Sequence, residues 1–227
     1  MTKNTHMLER SNLPYIAPFA AYVLFMVIED VLLKLGWNAD DVRMLYAIKV
    51  TAVVVLLWIM RNAYTELHSF ANVTTKTWMI AIVAGIVVFV AWINLTAEWM
   101  VMGDAIGFDP RTDEQIDWQL VAIRLLGAAL VVPIMEELFW RSFLMRWIEN
   151  QNFRSVNPGQ IGFKAFFITA ALFAVAHSLW FAGFFAGIVY GLLYMRSGTL
   201  WSPILAHAVT NGLLGIWIVM TGNWGFW

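Results

Sequence analysis

The sequence predicts an all-α, polytopic transmembrane helix bundle, and three observations predict it. Of its 227 residues, 61% are hydrophobic and only 13% are charged, with a mean hydropathy of +0.70. A soluble domain of this length needs far more charge to cover its surface. Apolar stretches close to the roughly 20 residues that cross a hydrocarbon core recur from end to end, and thirteen tryptophans complete a membrane composition.

About seven spans are expected, within a range of six to eight, near residues 14–33, 42–60, 77–95, 118–147, 163–181, 183–196 and 199–221. The first follows Lys3 and Arg10 as a signal peptide would, but no small-residue cleavage site comes after it, so it reads as a retained span. The fourth is too long for one straight crossing and contains Pro133, which predicts a kink or two helices meeting there. The sixth, GFFAGIVYGLLY, is short and glycine-rich and should be tilted, broken or packed tightly on a neighbour. The acidic connection 96–117 has a single arginine and reads as a solvated loop rather than as a lid or interfacial helix.

Numbering the connections alternately puts Lys3, Arg10, Arg61, Lys76, Arg146, Arg154, Lys164 and Arg196 on one side, against Lys34, Arg43 and Arg111 on the other. By the positive-inside rule the first set, and the N-terminus with it, faces the cytoplasm. No internal repeat or linker divides the chain, so residues 1–227 are expected to form a single integral-membrane domain. The absence of cysteine excludes disulfides, thiolate metal sites and thiol nucleophiles. A net charge of −1 without a basic block argues against a nucleic-acid partner.

Charged side chains at mid-bilayer cost about 2.5–3.5 kcal/mol each even on lenient scales, so each needs a partner or a task. For Glu29, Asp30, Lys49 and Arg124 the structural reading is favoured: they snorkel, sit at the interface or pair across helices. PIMEELFWRSF, residues 133–143, is different. Glu137 and Arg141 are four apart, the spacing of a helical ion pair. Glu136 points about 100° away and is left without a local partner. His177 and His207 also lie in apolar segments, and His207 shares a helix face with Asn211 four residues on, offering two neighbouring donors. By helical rise, Glu136, His177, His207 and Asn211 all fall within about 10 Å of the bilayer midplane.

A carboxylate and an imidazole sharing a water in a dry pocket can make it a nucleophile while adjacent donors receive the oxyanion. That describes amide hydrolysis without serine, cysteine or metal. The motifs Glu136-Glu137-xxx-Arg141, Phe173-xxx-His177 and His207-xxx-Asn211, in this order and in separate apolar segments, resemble those of the CAAX protease and bacteriocin-processing (CPBP) family. That family includes the type II CAAX prenyl endopeptidases, and the resemblance covers about residues 118–221.

The resemblance implies a glutamic intramembrane endopeptidase without a cofactor. Glu136 and His177 would activate water, and His207 with Asn211 would bind the oxyanion. Glu137 and Arg141 would orient the site, with Glu137 assisting catalysis, and Phe173 would direct the His177 helix by packing. The implied substrate is a membrane-associated peptide or protein, and the implied location a bacterial inner (plasma) membrane.

Among rivals, a zinc metalloprotease would use Glu136, His177 and His207 as ligands, although no HExxH is present. Serine proteolysis is disfavoured because Ser178 points about 100° from His177. Aspartyl proteolysis lacks paired aspartates in the core segments, Asp30 and Asp104 lying at a helix end and in the acidic connection. A proton-coupled transporter should show inverted repeats, and a non-catalytic scaffold has no need of every motif position being filled.

Overall fold

Helix α1, Leu13–Lys34, places Pro14 in its opening turn, where the missing N–H costs no hydrogen bond. The computed structural model describes residues 9–103, 107–112 and 114–227; Lys3 and Asp104, used in the sequence reading, lie outside them. Six further long helices follow: α2 (Leu45–Ile59), α3 (Thr75–Asn94), α4 (Trp118–Glu149), α5 (Phe163–Val175), α6 (Trp180–Ser197) and α7 (Trp201–Thr221). Two starts are capped by side chains: Thr74 accepts from Thr77 N, and Asp117 accepts from the backbone of Gln119 and Leu120.

By length and composition, α1, Asp41–Ile59, α3, α4 and α7 are each apolar enough to cross a membrane. The chain is an all-α bundle and an integral membrane protein. Its outer faces carry exposed Leu24, Val27, Trp58, Val83 and Met220, the surface that lipid would cover. Burial concentrates instead in α4, where every residue from 135 to 146 is buried. A helix buried on all faces is the centre of its bundle.

Pro133 does not break α4. The helix widens into a π turn at Gly127–Val131 just before it, and into a second π stretch at Leu138–Met145 after it. The wider turn accommodates a residue that can donate no hydrogen bond.

Helix α5 ends at Val175, six residues short of the expected limit, and only the turn 176–179 separates it from α6. The glycines of α6 explain the tight hairpin: a Cβ on Gly187 would stand 3.0 Å from the Ala170 Cα, so small residues let the backbones touch. Helix α7 lies close along α3, and the Thr210 hydroxyl reaches the Gly85 carbonyl at 2.9 Å.

The connection 96–117 is docked rather than free. Met102 N donates to the Ser178 carbonyl at 2.7 Å and Trp180 Nε1 to the Trp99 carbonyl at 2.9 Å. A short antiparallel pairing joins Arg111–Thr112 to Gln115–Ile116. The loop therefore rests on the α5–α6 turn.

Candidate active site

Three helices and one turn bring the motif residues together. Helix α4 carries Glu136, Glu137 and Arg141, α7 carries His207 and Asn211, α5 carries Phe173, and the turn after α5 carries His177.

Glu137 is fully buried and holds one cluster. Arg141 Nη1 donates to its Oε1 at 3.0 Å, and His207 Nδ1 donates to the same oxygen at 2.9 Å. The i,i+4 pair predicted from sequence thus survives the π-helical stretch. The Arg141 guanidinium lies 4.4 Å over the Phe173 ring and 5.5 Å from that of Tyr190, so a cation with one carboxylate neighbour gains two aromatic faces. The His207 ring stacks on Tyr190 with centroids 5.0 Å apart.

Glu136 is also buried but has no hydrogen bond or ion pair among the described residues, and its Oε2 is fully enclosed without a partner. The adjacent carboxylates are therefore unlike in surroundings: one is neutralised from two sides and the other stands alone.

His177 Nδ1 lies 2.7 Å from the Phe173 carbonyl oxygen. A carbonyl only accepts, so Nδ1 carries the proton and, in the neutral ring, Nε2 presents its lone pair. Phe173 thus orients His177 through its backbone and supports Arg141 through its ring. Trp92 and the His177 ring meet edge to face with centroids 5.4 Å apart. Glu136, His207 and Arg141 all lie within electrostatic range of His177.

One expected pairing takes a different form. Asn211 does not share an acceptor with His207, because its Nδ2 donates to the Ala128 carbonyl at 2.9 Å while the His207 Nδ1 faces Glu137. The backbone of α4 explains the first bond. Val132 N bonds the Gly127 carbonyl in the π turn, so the Ala128 carbonyl awaits the N–H of residue 133, which is proline. Asn211 supplies the missing donor.

The remaining charges of the apolar segments are paired or cushioned. Lys49 bonds Glu29 at 3.0 Å between α2 and α1, and Lys34 bonds Asp30 at 2.6 Å. Sequence reasoning passed over Tyr190 and Trp92, since an aromatic residue in an apolar helix carries no signal of what it stacks on. It also passed over Glu66, which lies in the connection before α3 and yet accepts from Ser142 Oγ at 2.7 Å and Arg146 Nη1 at 2.9 Å on α4.

His177 lines a cavity of about 630 Å³ together with Tyr22, Trp92, Arg124 and Trp227. Among the described residues, no three His, Asp or Glu side chains are gathered as a metal would require. The set Glu136, His177 and His207 is thus not assembled as a ligand cage, and His207 Nδ1 is already engaged by Glu137.

Neither a comparison with curated proteins nor one with solved structures gave a match. A family model did: residues 118–213 match the type II CAAX prenyl endopeptidase Rce1-like family. The matched stretch begins at the first turn of α4 and ends two residues beyond Asn211, so it contains all three motifs. That match is consistent with the CPBP, or CAAX protease, family.

Proposed function

We propose that the protein is an intramembrane glutamic endopeptidase in which Glu136 and His177 activate the attacking water. One observation carries the reading: of two adjacent buried carboxylates, Glu137 binds Arg141 and His207 through Oε1, whereas Glu136 has no partner among the described residues and is within electrostatic range of His177. A buried carboxylate without a partner is expensive and is kept where it performs chemistry.

In the proposed step, Glu136 takes one proton of water, the water oxygen bonds the scissile carbonyl carbon, and the carbonyl π pair moves to oxygen. Collapse breaks the C–N bond and the proton passes to the leaving amine. Nε2 of His177 faces the water, held by its bond to the Phe173 carbonyl. Donors for the oxyanion come from α7. With Nδ1–H given to Glu137, His207 donates from Nε2 only as the imidazolium, and the Glu137 carboxylate offsets that charge. Asn211 contributes the N–H that Ala128 leaves free, or both once it lets the carbonyl go.

We read the chain as a single integral-membrane domain, with its N-terminus cytoplasmic on the asymmetry of lysine and arginine among the connections and with a bacterial inner (plasma) membrane as the location that the family resemblance implies. Its substrate would be a membrane-associated peptide or protein.

The test is cleavage of a library of membrane-anchored peptides by the full chain in proteoliposomes, with products read by mass spectrometry. Glu136→Gln and His177→Ala should each abolish product, and a chelator should leave the rate unchanged. Product formed by Glu136→Gln, or activity lost to the chelator and restored by zinc, would overturn the mechanism.

A further inference from the structure

Arg124 is the one cation lining the cavity beside His177 that has neither a carboxylate nor a carbonyl partner among the described residues. The other charges of that cavity are accounted for. Lys49 is bonded to Glu29, Arg111 to Asp109, and Asp30 to Lys34. Arg43 is held by the carbonyls of Asp109 and Arg111 and the hydroxyl of Thr112. Arg124 instead lies between aromatic faces, 4.3 Å over the ring of Tyr46 and 5.1 Å from that of Phe108, and its enclosed Nε has no acceptor.

The aromatic rings hold the guanidinium plane in place without using its hydrogen bonds. A guanidinium in a half-buried apolar wall without an anion is costly, and an entering carboxylate would repay that cost through two parallel N–H···O bonds. The cavity, at about 630 Å³, has room for several residues of an extended peptide. Arg124 and His177 line the same space.

We propose that this cavity is a substrate subsite in which Arg124 binds a carboxylate of the peptide, fixing its register against the reacting groups. The assignment of peptide substrate rests on the protease reading above; the anion site itself rests on the unpartnered guanidinium. The carboxylate can be the chain terminus or an acidic side chain, and the experiment separates them.

The full chain carrying Glu136→Gln, in phosphatidylcholine nanodiscs, is titrated with three dansyl-labelled apolar hexapeptides. One ends in a free carboxylate, one in a carboxamide, and one in a carboxamide with an internal glutamate. A carboxylate-bearing peptide should bind about tenfold or more tightly than the neutral one. Arg124→Gln should reduce that ratio to near unity, and Arg124→Lys should keep part of it. Preference for the terminal or the internal acid supports the proposal and names the source.

Equal binding of acid and neutral peptides, or a preference that Arg124→Gln leaves intact, overturns it. Were Arg124→Gln not to fold, the acid preference of the chain with Arg124 intact decides, and it must weaken as salt rises. Replacing phosphatidylcholine with phosphatidylglycerol is the remaining arm: selective loss of acid-peptide binding would assign Arg124 to a lipid phosphate instead. Cleavage of the same peptides with Glu136 intact is scored separately. Acid preference without cleavage would count against the protease reading alone.

Discussion

The Asn211 amide donates to the Ala128 carbonyl across 2.9 Å, linking α7 to a place on α4 where Pro133 leaves the backbone without its own donor. The cause is Pro133, five residues beyond Ala128, which follows the π turn and carries no N–H. A motif residue thereby reports on a backbone defect in the motif helix. Asn211→Ala should cost about 1 kcal/mol by leaving a half-buried carbonyl without its donor. In a Pro133→Ala background, where residue 133 regains its N–H, the same substitution should cost much less. Thermal unfolding of the four proteins in detergent gives the coupling, and an additive double variant would sink this account.

Glu136 and Glu137 should separate cleanly when each is made neutral. Glu137→Gln leaves Arg141 buried without its anion and releases His207, a loss on the order of 3–5 kcal/mol for a broken buried pair. Glu136→Gln removes a buried carboxylate that has no partner among the described residues, so stability should hold or rise while turnover disappears. Unfolding midpoints of both variants, measured beside peptide cleavage, would contradict the division of roles if the two carboxylates proved equally important to stability.

Much of this was legible beforehand because membrane spans announce themselves by length and hydropathy. Six of the seven predicted segments fall within about three residues of a helix at each end, the fifth overshoots its helix by six, and the Glu137–Arg141 pair follows from a spacing of four. What escaped reading depends on relations between distant segments. Val175 ends α5 because Gly183 and Gly187 let α6 turn back at once onto Ala170 and Ala174, and no periodicity in either segment encodes that. Asn211 and His207 share a face, as expected, but their hydrogen bonds go to Ala128 and Glu137 because a π turn and a buried carboxylate elsewhere need donors. In sequence Arg124 reads as a structural charge, since its want of a partner shows only when α1, α2 and the 107–111 segment surround it.

Tyr190 supports the site in two separable ways. Its hydroxyl donates to Thr210 Oγ1 at 2.7 Å, and its ring stacks on His207. Tyr190→Phe keeps the ring and should cost about 1 kcal/mol of stability with little effect on turnover. Tyr190→Leu removes the platform beneath His207 and a face from Arg141, and should lower kcat by tenfold or more. If both variants cleave peptide at the same rate, stacking has no part in positioning the histidine.

Glu66 sets an acid limit on stability. Burial favours its neutral form, but the Ser142 hydroxyl, a backbone N–H, the Tyr15 hydroxyl and the Arg146 guanidinium outweigh burial and hold its pKa below the ordinary 4.5. A group whose pKa is depressed by folding contributes stability that is complete above its unfolded value and fades as pH falls through the folded one. The wild-type protein should therefore lose stability below about pH 4.5, as Glu66 is protonated and Arg146 is left without its anion. Glu66→Gln should be less stable at neutral pH and lose less across the same acidic window, where Asp109, whose pKa is also depressed, still titrates. Unfolding midpoints in detergent from about pH 3 to pH 7 test this, and parallel curves for the two proteins would show that the Glu66 network does not govern the acid response.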